Sequence, residues 1–119
     1  MTLFTDDVAA ATTFYVRSLG LDVVFRDDVS VVLQLGELLV NLLDLSQAPI
    51  LVAPATVASA ADGCRVVLTI PVPDVDETCR ELTAQGVTLL NGPMDRPWGI
   101  RTASFQDPSG HVWEIAHDL

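Results

Sequence analysis

The sequence predicts an α+β fold: two βαβββ modules whose strands make a curved mixed sheet, a half-barrel with a concave interior. Three observations predict it. One short phrase occurs twice, as Asp7-Val8, a helical stretch and Gly20-Leu21-Asp22-Val23-Val24, then as Asp74-Val75-Asp76, a second helical stretch and Gly86-Val87-Thr88-Leu89-Leu90. The offset, roughly 66 residues, is about half the chain, so the repeat is a duplicated module rather than a solenoid. Each helical stretch is followed by three β-rich runs separated by turn residues.

The elements follow in order. Residues 2–5 form a short apolar strand. Asp6 or Asp7 caps the next helix, whose first amides lack partners of their own. Val8, Ala11, Phe14 and Tyr15 recur at helical spacing, and Gly20 closes the helix with a left-handed backbone. Residues 21–25 are a strand, Arg26-Asp27-Asp28 a turn, residues 29–35 a second strand, Gly36-Glu37 a tight turn and residues 38–44 a third. Residues 46–63, rich in Ala, Pro and Ser, are a linker with at most a loose helical turn.

The second half repeats the plan. Residues 64–71 are a β-rich run. Asp74 and Glu77 have the spacing of a capping box, and Val75, Cys79 and Leu82 form a buried stripe up to Gly86. Residues 87–90 are a strand and Asn91 to Pro97 a loop. Residues 100–106 are a strand, Asp107-Pro108-Ser109-Gly110 a type I-like turn, and residues 111–117 the last strand. The organisation is one domain, 1–119, of two modules (about 1–45 and 64–119) joined by the linker 46–63.

Composition narrows the function. Half the residues are apolar, enough for a core in 119 residues. Sixteen acidic residues face six basic ones, all of them Arg, for a net charge of −10. Phosphate backbones need cations, so nucleic acid is not an expected partner; the charge suits solubility or cationic small molecules. No apolar run reaches the roughly 18 residues of a membrane span. The N-terminus lacks a basic, cleavable leader, so the expected location is the cytoplasm. Cys64 and Cys79 are read as free thiols, Cys79 in the core. The lack of Lys beside abundant Ala, Val and Arg points to a high-GC bacterial source.

Several of these features occur together in one known family. The βαβββ duplication, Phe14-Tyr15 with Leu19-Gly20-Leu21, Pro97-Trp98-Gly99 and the segment Asp107-Pro108-Ser109-Gly110-His111-Val112-Trp113-Glu114 together resemble the vicinal oxygen chelate superfamily. That group includes glyoxalase I, extradiol dioxygenases, fosfomycin resistance enzymes and bleomycin resistance proteins. The resemblance covers nearly the whole chain and speaks to fold more than to chemistry.

The family's enzymes hold a divalent metal on the inner strand faces, and the resemblance carries over position by position. Glu114 matches the carboxylate of the last strand. Alternation puts Val112, Glu114 and Ala116 on one face and Trp113, Ile115 and His117 on the other, so Glu114 is expected to face the concave side. The His of the first strand in the second half would fall at Val67, which binds no metal. The equivalent in the first half would precede Met1. The matching carboxylate of the first half falls near Asn41, a weak ligand. His111 in the turn and His117 on the far face do not complete a set of about three ligands. No metal cofactor is therefore expected, with Glu114 the single weak metal candidate.

The resemblance to bleomycin resistance proteins then implies a cytoplasmic homodimer that binds a small organic molecule, cationic or planar, without a metal, as in drug sequestration. The alternative it implies is an enzyme: a metal-dependent lyase or dioxygenase, or a metal-free isomerase with Glu114 as base. The expected ligand-binding residues are Glu114, Asn41, Trp98, Arg101 and Arg96. Trp98 reads either as a stacking platform for a planar ligand or as an anchor of its loop. Arg101 reads either as a contact to an anionic group or as the partner of an aspartate such as Asp95.

Overall fold

The computed structural model describes residues 1–119 and divides them into two compact units, Met1–Gly63 and Cys64–Leu119. Each unit is a βαβββ module. In the first, β1 (Thr2–Thr5) leads to α1 (Val8–Leu19) and then to the antiparallel run β2 (Asp22–Arg26), β3 (Ser30–Leu35) and β4 (Leu38–Asp44). In the second, β5 (Val67–Pro71) and α3 (Val75–Ala84) precede β6 (Leu89–Asp95), β7 (Ile100–Gln106) and β8 (Val112–Asp118). Between them, Leu45–Gln47 forms a tight helical turn, α2 spans Ala48–Val52 and Ala60–Asp62 is another short turn. No helix is long and apolar enough to cross a membrane.

Both sheets are mixed, four-stranded and wired alike: β1-β4-β3-β2 and β5-β8-β7-β6. The first strand lies parallel to the last, Thr2 opposite Asn41 and Thr69 opposite Glu114. Parallel neighbours need a crossover, and the helix supplies it. Period-two alternation then sorts each sheet's side chains. In the first unit Leu3, Val31, Leu33, Val40 and Leu42 are buried with Ala11 and Tyr15 of α1. In the second, Ala103, Phe105, Trp113 and Ile115 are buried with Val75, Cys79 and Leu82 of α3. The other face of each sheet carries Asn41 in one unit and Glu114 in the other.

The helix ends obey local chemistry. Asp7 caps α1, its carboxylate accepting from Ala10 N at 3.0 Å, and Gly20 ends the helix at φ +66°. Asp74 caps α3 in the same way, accepting from Glu77 N at 3.1 Å. The expected capping box is only half present: the Glu77 carboxylate pairs with Arg80 at 2.6 Å on the helix surface. His117 completes the cap from a distance, its Nδ1 accepting from Val75 N at 2.8 Å.

The clearest departure from expectation is the segment read as a loop from Asn91 to Pro97. It continues β6 as far as Asp95, with its register against β7 shifted between Leu89 and Asn91 and again between Asn91 and Met94. Gly and Pro inside an edge strand mark bulges rather than an end to pairing. Only Arg96 to Gly99 turns, closed by Gly99 N donating to Arg96 O at 3.1 Å.

Gly92 permits the bulge. Its φ is +83°, and a Cβ there would stand 2.4 Å from the Thr102 carbonyl oxygen and 2.7 Å from Ala103 Cα. Both obstacles are backbone and cannot swing aside. Gly92→Ala is expected to lower stability by about 3 kcal/mol, from overpacking added to left-handed backbone strain, read as a lower urea midpoint with an unchanged slope.

Candidate functional site

The face of the second sheet turned away from α3 carries a row of polar side chains. Thr69, Glu114, Ser104 and Asn91 stand opposite one another on β5, β8, β7 and β6. Glu114 is half-buried, and its Oε1 accepts from the Thr69 hydroxyl at 3.1 Å. The next row brings Pro71, Ala116, Thr102 and Met94 together. A recess of about 280 Å³ lies here, its lining including Thr69, Pro71, Ile100 and Ala116, with Asp118 also contributing. It is apolar in the middle and acidic towards one side, at the small end of ligand cavities.

Arg96 reaches over this same face. Its Nε donates to Thr102 Oγ1 at 2.8 Å and its Nη2 to Asn91 Oδ1 at 2.9 Å. The guanidinium is thereby fixed over Thr102, the strand neighbour of Ala116, although its own residue sits in the turn.

The structure does not bring Arg101 to this group. It stands opposite His117, on the α3 side. There it forms a two-pronged bond to Asp76 of α3, Nε to Oδ2 at 2.6 Å and Nη2 to Oδ1 at 2.9 Å, and its Nη1 donates to Asp95 at 2.8 Å. Three of its five N–H donors are thus engaged by two carboxylates, and the residue acts as a tie between helix and sheet. Trp98 occupies the Arg96–Gly99 turn and is 67% exposed, so it does not anchor the turn against the sheet. Trp113, by contrast, is 1% exposed in the core.

Asn41 occupies the corresponding face of the first unit, between Thr2 of β1 and Val32 of β3. Its Oδ1 is buried and has no hydrogen-bond partner. Buried acceptors are almost always satisfied, and one left without a donor costs about 1–3 kcal/mol. His111 stays apart from these groups, pairing through Nδ1 with the buried Asp107 at 2.7 Å, while His117 caps α3 and also borders the recess of the second unit. The sequence reading missed Thr69, Thr102 and Asn91 as partners of the site. The signal for Thr69 lies in the parallel register of β5 on β8, which no single-strand pattern reveals.

Two βαβββ units with a helix on one sheet face and polar groups on the other define a class of α+β proteins, and comparisons place the chain within it. The chain belongs to the Glyoxalase/Bleomycin resistance protein/Dioxygenase superfamily, whose profile matches residues 1–115. Among solved structures it is similar to a glyoxalase/bleomycin resistance protein/dioxygenase from Nocardioides, with 24% identity, a TM-score of 0.87, and coverage of 100% of this chain and 81% of that one. It is also similar to a glyoxalase-related enzyme from Fulvimarina pelagi (26% identity, TM-score 0.83, 98% and 84% covered). TioX from Micromonospora sp. ML1 shares 27% identity at a TM-score of 0.78, with 100% and 96% covered. No curated protein matches the sequence.

Two outcomes are expected of this geometry. Asn41→Leu removes the orphaned acceptor with little change of volume and should raise stability by about 1 kcal/mol or more in chemical denaturation. The Asp76 carboxyl is held below the usual carboxylate range, first by the hydrogen bond from Arg101 and further by the charges of Arg101 and Arg80. A depressed folded-state value means stability that is present above the unfolded value, about 3.9, and lost as pH falls through the lower folded one. Asp76→Asn should therefore destabilise the protein at neutral pH, with the gap to wild type closing as pH falls below the unfolded-state value in a pH series of melting temperatures.

Proposed function

We propose that this chain binds small planar organic molecules on the helix-free face of each sheet, each unit by itself, without a metal ion, and acts by sequestration rather than turnover. The observation that carries this reading is the buried, unpartnered Asn41 Oδ1. An acceptor kept dry and unsatisfied costs stability unless something donates to it, and a ligand N–H or O–H is such a donor. The half-buried Glu114, whose only hydrogen bond is from Thr69, asks for the same kind of group. The acidic balance of the chain raises the local concentration of cationic heads, and the exposed indole of Trp98 offers a stacking surface.

Donor chemistry supports the metal-free part. A catalytic divalent ion needs about three nitrogen, sulfur or anionic oxygen ligands. Opposite Glu114 stands a threonine whose hydroxyl donates into the carboxylate, occupying a lone pair that a metal would use. Val67 and Val112 flank that pair along the strands, and in the first unit Asn41 is flanked by Thr2 and Val32. These residues do not fit such an ion. The same reading takes the working form as a homodimer in the bacterial cytoplasm.

A matched series on one ring tests it: 2-naphthamidine, a planar cation rich in N–H donors, against neutral 2-naphthamide. Calorimetry should show the amidine bound at least about tenfold more tightly, a difference of about 1.4 kcal/mol. Glu114→Gln should erase most of that preference, in metal-free buffer with chelator present. Amidine binding that Glu114→Gln leaves untouched, or that requires an added metal, sinks the reading.

A further inference from the structure

We propose that the free face of the second sheet also holds an anionic group of its ligand, a carboxylate or phosphonate, on the guanidinium of Arg96. The inference deepens the binding reading above and rests on it. Of the six arginines, only Arg96 and Arg101 are half-buried; the others are exposed. Their surroundings differ sharply. Arg101 has two carboxylates, Asp76 and Asp95, within 2.9 Å. Arg96 has none: its partners are the Thr102 hydroxyl and the Asn91 amide oxygen, both neutral.

A partly desolvated cation without a counter-ion is costly, the more so in a chain with 16 carboxylates available to pair with it. Here the neutral acceptors fix the guanidinium without neutralising it. Nε and Nη2 are taken, and the remaining N–H groups are left for a further acceptor. Guanidinium suits planar two-oxygen anions. Thr102, which Arg96 grips, stands directly opposite Ala116 of the recess, about one strand spacing of 4.8 Å away. Glu114 lies on β8, two residues before Ala116. A ligand that extends from the recess across this face can thus reach the Glu114 carboxylate on β8 and the unneutralised Arg96 guanidinium over Thr102 of β7. The ligand class this selects is a planar molecule with a donor or cationic head and a separate anionic one.

The test uses 2-naphthoate, the anionic member of the same ring series, against neutral 2-naphthamide, followed by calorimetry and by the Arg96 Nε–H resonance in NMR. Wild type should bind naphthoate about tenfold more tightly than the amide despite a net charge of −10 that opposes it, and the Arg96 resonance should move during the titration. Arg96→Gln should bring the ratio near one. Asn91→Asp keeps the arginine but gives it a carboxylate in place, and should do the same. Should naphthoate bind no better than the amide, or should both variants keep the preference, the anion subsite is wrong while the amidine result stands untouched. Should no member of the series bind, this inference falls together with the reading beneath it.

Discussion

The parallel pairing of each unit's first strand with its last, β1 on β4 and β5 on β8, is the constraint from which the rest follows. Such neighbours cannot be joined by a tight turn, so the chain must cross over through a helix and return through two more strands. One helix per four strands covers one face. Trp113, Ile115, Phe105 and Ala103 are committed to that side in the second unit, and Leu42, Val40, Leu33 and Val31 in the first. Alternation leaves every second position free for polar chemistry, and Glu114, Ser104, Thr102 and Asn41 all occupy such positions.

The two units keep the same scaffold chemistry and differ in their polar faces. Asp7 and Asp74 cap their helices alike, and Gly20 and Gly86 follow those helices at positive φ. The second unit adds a charge network on its helix side, Arg101 with Asp76 and Asp95, which ties α3 to the hairpin of β6 and β7. On its other side Arg96 is held only by neutral oxygens. Two arginines five residues apart thus have different tasks because strand alternation and a turn send them to opposite faces.

Most of the fold was legible in the sequence because its signals are local. The helix ends are marked by Asp and Gly, and the strand at 2–5 and the last strand's alternation are written in adjacent residues, so the placement of Glu114 and Trp113 on opposite faces of the sheet could be read. The failures come from longer range. Asn91-Gly92-Pro93 looks like a loop because Gly and Pro usually break strands; only the partner β7 shows that they bulge within one. For Arg101 the sequence offered a ligand contact or a partner such as Asp95; Asp95 does pair with it, but Asp76 could not be read because it lies 25 residues away, on a helix whose rotation the sequence does not state. Thr69 drew no attention because a threonine in a strand is ordinary until its neighbour across the ladder is known.

The tryptophans have a practical corollary. One indole is enclosed in the core, directly across the ladder from Phe105, and the other stands in solvent at the hairpin tip. Their emission therefore separates into a blue-shifted, quencher-resistant component and a red-shifted, quencher-accessible one. The protein carries two native optical probes: one follows the integrity of the interior, the other the traffic at its surface, and neither requires a label.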